Sequence, residues 1–190
     1  RIWSNSIRYQ DLSRFTNAIP LYDEKGADTL WSTVLYSDSD RKEIHEQLLH
    51  AYSVLKADGD ISITKNLFVE RVDQCFHGNT LPFRVRIVNR INDNFDYFYV
   101  KKIDANRIYG LELEHILSPN RINYFIHENT IVEEHIIGIP ADAFLKEDIP
   151  ITEFDKVRLA KEFVKFNERC FISLLGDMHS GNFVIELTRD

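Results

Sequence analysis

Cysteine is scarce in this sequence, which has two, Cys75 and Cys170, among 190 residues. Two cysteines are too few for a disulfide scaffold and are typical of a reducing compartment, or allow at most one bridge. No apolar run approaches the ~18 residues of a membrane span, and no basic-then-apolar leader begins the chain. We therefore expect a cytoplasmic protein with no membrane span, from which processing or trimming has removed whatever preceded Arg1.

Positive charge is also in deficit, because 23 Lys and Arg face 30 Asp and Glu and give a formal net charge of −7. Nucleic acids and anionic membranes attract clustered positive charge, so this balance predicts no nucleic-acid partner. The hydrophobic fraction of 44% and the charged fraction of 28% are those of an ordinary globular chain.

Motifs of several other enzyme classes are missing. His45 and His50 lie five positions apart, so on a helix their imidazoles diverge by about 140° and cannot share a zinc ion as in zinc proteases. Neither cysteine has a CxxC partner, which disfavours a zinc site. No Gly-x-Ser-x-Gly elbow of a serine hydrolase is present.

Periodicity then predicts the elements of the chain. Asp40 and Glu43 have the spacing of a capping box, apolar residues recur behind them at helical spacing, and Gly59 follows, which predicts a helix near 40–57. Three β-rich runs at 66–73, 81–89 and 97–103 are joined by short polar turns and predict an antiparallel meander. We further expect a helix at 106–117, strands at 123–128 and 130–137, a connector between Pro140 and Pro150, a helix at 152–170, a strand-like run at 170–175 and a strand at 183–187.

This order predicts an α+β fold, in which a small antiparallel sheet with one helix precedes a helical lobe. Residues 1–60 form an N-terminal extension that includes the helix near 40–57. Residues 61–138 form the small lobe, and residues 139–190 begin the helical lobe.

The loop at 176–182 carries the most informative motif, with Asp177 and Asn182 five positions apart and His179 and Gly181 between them. It resembles the catalytic loop of the protein-kinase-like superfamily. Its sequence, Gly-Asp-x-His-x-Gly-Asn, most closely resembles the motif of the aminoglycoside and choline phosphotransferases. The alternative is an ordinary polar turn, in which these residue types are common.

The resemblance implies an ATP- and Mg²⁺-dependent phosphotransferase with a protein-kinase-like fold. Asp177 would be the catalytic base that orients the acceptor hydroxyl, because a carboxylate within hydrogen-bond reach can take its proton. The amide oxygen of Asn182 would be a ligand of Mg²⁺, a hard cation that prefers oxygen.

The upstream segments match the same family in order. Lys101, on the predicted strand 97–103, would bind the α- and β-phosphates, with Lys102 as the alternative. The paired carboxylate would be Glu112 or Glu114 of the next helix, of which Glu112 is preferred. These two glutamates lie about 200° apart on a helix, so only one can face the lysine.

The family also has a hinge strand whose backbone binds adenine, and here the backbone from Glu134 to Ile136 would take that role. The hairpin that covers the phosphates has several glycines in protein kinases but only Gly78 in this chain. A second metal-binding aspartate is expected about a dozen residues after Asn182. Either Asp190 is that ligand in a tight hairpin, or, as we prefer, the true ligand lies beyond Asp190 and the chain is a fragment lacking most of its large lobe.

The sequence thus predicts transfer of the γ-phosphate of ATP to a hydroxyl of a small molecule or a protein. The sparse glycine hairpin leaves a second hypothesis open, that of a catalytically inactive kinase-fold module with a binding or regulatory role.

Overall fold

The structure is a computed structural model, and it describes residues 6–77, 80–117, 122–146, 152–172, 180 and 183–186. Its helices are α1 (Tyr9–Leu12), α2 (Asp38–Ala57), α3 (Ala105–Leu117), α4 (Ala141–Lys146) and α5 (Glu153–Ile172). Its strands are β1 (Asn17–Tyr22), β2 (Asp28–Leu35), β3 (Leu67–Cys75), β4 (Phe83–Asn89), β5 (Phe95–Lys102), β6 (Tyr124–His127), β7 (Thr130–Glu134), β8 (Ile139–Pro140) and β9 (Val184–Ile185). A 3₁₀ helix spans Ile61–Thr64.

The chain divides into two compact units, of which the first comprises residues 1–108 and 122–135. This unit contains a seven-stranded sheet in the order β1-β2-β3-β4-β5-β7-β6, and every pair of neighbouring strands is antiparallel. The predicted meander is therefore confirmed as β3-β4-β5, and so is the α+β class. Helix α3 follows β5 in the chain, and β7 rather than β6 lies beside β5 in the sheet.

One face of the sheet is apolar and is covered by α1 and α2. Phe83, Phe98 and Val100 are fully buried on this face, in a core that also contains Ile44 and Leu48 of α2. These apolar residues recur with the period of 2 along the strands and with helical spacing in α2, as a packed sheet and helix require. Asp73, Arg84 and Glu133 alternate with these apolar residues and lie on the opposite face. Some charged residues remain on the side of α2, where Lys56 pairs with Asp96 and Glu134.

Helix α2 begins two residues earlier than predicted. Its N-cap is Ser37, whose Oγ accepts the backbone N–H of Asp40 at 3.3 Å and donates to the Asp40 carboxylate at 2.6 Å. Asp40 is thus the third residue of the helix, at the end of the capping motif rather than at its start. At the other end, Asp58 takes a left-handed conformation and the N–H of Gly59 bonds the carbonyl of Ser53, as expected from the glycine.

Three parts of the chain differ from the predicted elements. Residues 1–37, which showed no regular pattern, include the hairpin β1–β2 that extends the sheet. The segment after Gly138 contains β8 and α4 rather than only a connector. Residues 170–172 continue α5, so a strand starting at Cys170 is wrong.

The second unit comprises residues 109–121 and 136–190. Strand β8 pairs with β9, and Ala141, Phe144 and Ile185 form a small core with side chains of α5. Gly138 is closely approached by β9: a Cβ at this position would lie 3.0 Å from Cγ2 of Val184 and 3.1 Å from the carbonyl oxygen of Ile185, so a larger residue would force these atoms to shift.

Candidate anion-binding face

A row of mostly polar side chains crosses the face of the sheet opposite α2. The register places Thr33, Asp73, Arg84, Tyr99 and Glu133 directly opposite one another on β2, β3, β4, β5 and β7. Directly opposed residues of antiparallel strands lie on the same face, so all five share it. We call this set the polar row.

Asp73 is the first buried charge of the polar row, with no exposed surface. Its carboxylate accepts hydrogen bonds from the Thr33 hydroxyl at 2.8 Å, from Nε of Arg71 at 3.2 Å and from Nη2 of Arg84 at 2.8 Å. One carboxylate therefore meets two guanidinium groups, and the cluster holds one surplus positive charge.

Aromatic rings flank the arginines of this face. The guanidinium of Arg84 lies 4.5 Å from the ring centroid of Trp31 and 5.3 Å from that of Tyr97. The rings of Trp31 and Tyr99 are 6.3 Å apart. The quadrupole of an aromatic ring attracts a cation placed over its face, so these contacts hold Arg84 in a defined position.

Glu133 is the second buried carboxylate, with 3% of its surface exposed. Its Oε2 accepts Nζ of Lys101 at 2.8 Å and Nη2 of Arg107 at 2.6 Å, while its Oε1 accepts Nε of Arg107 at 2.9 Å. Lys101 follows two residues after Tyr99 on β5, and Arg107 lies in the first turn of α3. We call Glu133, Lys101 and Arg107 the triad; in it, as around Asp73, two cations bind one carboxylate.

The pKa values of Glu133 and Lys101 reflect both burial and the neighbouring charges. Burial acts to raise the pKa of the Glu133 carboxyl, but the hydrogen bond from Arg107 and the charge of Lys101 outweigh it and lower that pKa. The pKa of the Lys101 amine is lowered, chiefly because burial disfavours its charge; the charge of Glu133 acts to raise it, and repulsion from Arg107 adds to the lowering. A further anion would relieve this imbalance.

The rings of Tyr99 and His135 lie on the same face of the sheet, next to the triad. The hydroxyl of Tyr99 lies 3.1 Å from Nδ1 of His135. Burial raises the pKa of the Tyr99 phenol and lowers the pKa of the His135 imidazole, so each is neutral near pH 7. His135 therefore adds no charge to the surplus.

The two lysines that the sequence offered as phosphate ligands lie on opposite faces of β5. Lys101 lies on the face of the polar row, whereas Lys102 points to the other face, where its Nζ lies 5.1 Å from the ring centroid of Tyr9. Within the first unit, the carboxylate that binds the Lys101 amine is that of Glu133. Glu112 and Glu114, the predicted partners, belong to the second unit. The sequence therefore missed the strand carboxylate.

The predicted hinge lies at the end of β7. The backbone N–H of Glu134 bonds the carbonyl of Asn123 at 3.0 Å, so within the strand it is already satisfied. The Glu134 carboxylate accepts the backbone N–H of Asn123 at 2.7 Å. Ile136 follows the strand and is 43% exposed. An adenine-binding role for this backbone stays a prediction.

Four predicted site residues, Gly78, Asp177, Asn182 and Asp190, lie outside the described residues. Their roles as phosphate-loop glycine, catalytic base and metal ligands stay predictions. In the part of the chain that the structure describes, no group of three or more His, Cys, Asp or Glu side chains could hold a metal ion. Of the described helices, none has the length and apolar character needed to cross a bilayer.

The residues that the sequence analysis missed had a visible signal. Glu133 is a charged residue in the run Thr130–Glu134, where three of its neighbours are buried, and Asp73 follows buried Val72 in β3. A carboxylate inside an apolar strand needs a cationic partner, since an isolated buried charge is too costly. That partner cannot be identified until the strand register is known.

A separate groove of about 430 Å³ lies between the first half of α2 and β3. Its lining mixes acidic and basic side chains, including Asp38, Arg41, His45, Glu46 and Arg90, and it contains no residue of the polar row. We therefore regard the face around Lys101, and not this groove, as the candidate site.

Comparison with known proteins gives no match: no family model, no curated protein and no solved structure is similar to this chain.

Proposed function

We propose that this chain is an ATP- and Mg²⁺-dependent phosphotransferase that moves the γ-phosphate to a hydroxyl of a small molecule or protein. Lys101 would bind the phosphates, Asp177 would orient the acceptor hydroxyl and accept its proton, and Asn182 would hold Mg²⁺. Such catalysis depends mainly on positioning and on neutralising the charge that develops on the phosphoryl group.

The order of the elements supports this proposal. A three-stranded antiparallel meander carries Lys101 on its third strand, a helix follows at once, and two more strands come next. The hairpin β1–β2, which precedes the meander, extends the same sheet to seven strands. The resemblance implies this order, with the lysine on the third strand and the hinge on the last. Order alone does not establish a function, because one fold can carry many activities.

The surplus positive charge around Lys101 is the observation that carries the proposal. Lys101 and Arg107 share one buried carboxylate, and Arg71 and Arg84 share another along the same row. This concentration of cations stands out in a chain of net charge −7. A polyphosphate is an anion suited to such a face, since its charge is neutralised by cations that the fold already holds in place.

The chemistry needs two further groups in the loop at 176–182. A carboxylate such as Asp177 can take the proton of the attacking hydroxyl, and an amide oxygen such as that of Asn182 is a donor that Mg²⁺ accepts. Bound Mg²⁺ would neutralise phosphate oxygens, while Lys101 would hold the chain of phosphates from the sheet side.

Thermal unfolding and phosphate release from ATP together test the proposal. We expect millimolar ATP with Mg²⁺ to raise the unfolding midpoint, and the intact chain to release phosphate slowly even without its acceptor. Asp177→Asn should keep the thermal shift and lose at least about tenfold of the release rate, because it removes the proton acceptor. Asp142→Asn, at a partly exposed carboxylate of α4 that pairs with Lys146, is the matched control.

The outcomes separate the two hypotheses. A thermal shift without phosphate release would favour the inactive binding or regulatory module. The absence of any shift at millimolar ATP, with or without Mg²⁺, would refute the nucleotide site itself.

A further inference from the structure

Lys101 has a carboxylate partner that the resemblance did not imply. Family resemblance implies that the lysine pairs with a glutamate of the following helix, here Glu112. In the first unit the partner is Glu133, on the neighbouring strand β7, at 2.8 Å. The following helix instead contributes a cation, Arg107, to the same carboxylate.

The position of Glu133 is fixed by backbone pairing. Glu133 lies opposite Tyr99, and Ile131 lies opposite Lys101, in the ladder between β5 and β7. Lys101 and Glu133 are therefore diagonal neighbours on one face, close enough for long side chains to meet. The register of the β5–β7 ladder thus sets the separation between these two residues.

Arg107 fixes the orientation of the carboxylate. Its Nε and Nη2 bind the two oxygens of Glu133 at 2.9 and 2.6 Å, which is the parallel two-point geometry of a guanidinium on a carboxylate. Rotation of the Glu133 carboxylate would break both bonds. The oxygen offered to Lys101 is thus held in one place, and 97% of the Glu133 surface is shielded from water, given its 3% exposure.

We propose that Glu133, held by Arg107, is the positioning residue for the Lys101 amine, in place of a helix carboxylate. This role deepens the proposed function and rests on it, because it matters for catalysis only if Lys101 binds phosphate. Glu133 would hold the amine in place before the nucleotide arrives. The remaining charge of Lys101 and Arg107 would stay available to the phosphates.

The first test measures the Lys101 amine without any nucleotide. The intact chain, labelled with ¹³C at the lysine Cε, is titrated by NMR, and the Lys101 signal is assigned as the one that Lys101→Arg removes. We expect Glu133→Gln to lower the pKa of Lys101 and Arg107→Gln to raise it, because one variant removes an attractive charge and the other a repulsive one. Glu112→Gln is the matched control and should leave this pKa unchanged.

These opposite directions distinguish positioning from a general structural effect. If Glu133→Gln fails to fold, Arg107→Gln decides the matter, since it retains the Lys101–Glu133 pair. An unchanged Lys101 titration in every variant that folds, or a change in Glu112→Gln alone, would overturn the inference.

The second test measures ATP turnover in the same variants. We expect Glu133→Gln to lower kcat about tenfold or more, with the KM for ATP within about threefold, because cationic charge remains but the amine is no longer held in place. Glu133→Asp should recover part of the loss. Full activity in Glu133→Gln would refute the positioning role, whereas a wild-type chain with the NMR shifts and no turnover would refute the proposed function instead.

Discussion

Asp73→Asn is the substitution whose effect on stability can be worked out most fully. Asp73 is completely buried and its carboxylate is shared by Arg71 and Arg84. Removing one partner of a buried ion pair costs about 3–5 kcal/mol, because the other charge is left without compensation. The two arginine side chains keep 29% and 21% of their surface exposed, so water recovers part of that loss.

We therefore expect Asp73→Asn to lower the free energy of unfolding by about 2–3 kcal/mol. At about 2–4 °C per kcal/mol for a chain of this size, the midpoint should fall by about 4–12 °C. Urea denaturation followed by circular dichroism gives the free energy, and a thermal scan gives the midpoint. The asparagine keeps the shape of the side chain, so the loss reports on charge.

Glu70→Gln is the matched control on the same strand. Glu70 pairs with Arg86 at 3.1 Å, but 40% of its side chain is exposed. Exposed pairs contribute about 0–1 kcal/mol, so this variant should stay close to wild type. Equal losses of unfolding free energy in Asp73→Asn and Glu70→Gln would refute the claim that the buried ion pairs of the polar row contribute more to stability than an exposed pair does.

Two further predictions concern the core and the pH dependence of stability. Phe98→Ala should cost about 3–5 kcal/mol in urea denaturation, because the ring is fully buried against α2, whereas Phe95→Ala, with a 55% exposed ring, should cost clearly less. Burial lowers the pKa of His135, so between its folded and unfolded pKa values the unfolded chain binds more protons and the stability rises with pH. His135→Gln should therefore show a smaller gain in unfolding free energy from pH 5.5 to 7.5 than wild type. An identical gain in both proteins would contradict the claim that burial lowers the pKa of His135.

The helix α2 and the meander β3-β4-β5 were predictable because local patterns determine them. Apolar residues of α2 recur at helical spacing, and β4 alternates between buried and partly buried positions along most of its length. The hairpin β1–β2 was not predictable in this way. Pro20 lies within β1, which is an edge strand, and the pattern of burial in β1 lacks regular alternation.

The site was predictable only in part. The sequence correctly placed Lys101 on the same strand face as Tyr99, while its role in binding phosphate stays a prediction. It could not identify Glu133, because the pairing of Tyr99 with Glu133 depends on the register between β5 and β7, which are separated in sequence by α3 and β6. Arg107 was missed for the same reason, since its partner is 26 residues away.

Calorimetric titration of the chain with ATP and with adenosine tests the central claim most directly, namely that the cations around Lys101 bind phosphate. We predict that wild type binds ATP in the presence of Mg²⁺, that Lys101→Met weakens ATP binding about tenfold or more, and that Lys102→Met, altered on the opposite face, does not. Adenosine should bind wild type and Lys101→Met with the same weak affinity. ATP binding that is unaffected by Lys101→Met, or that adenosine equals, would contradict the account.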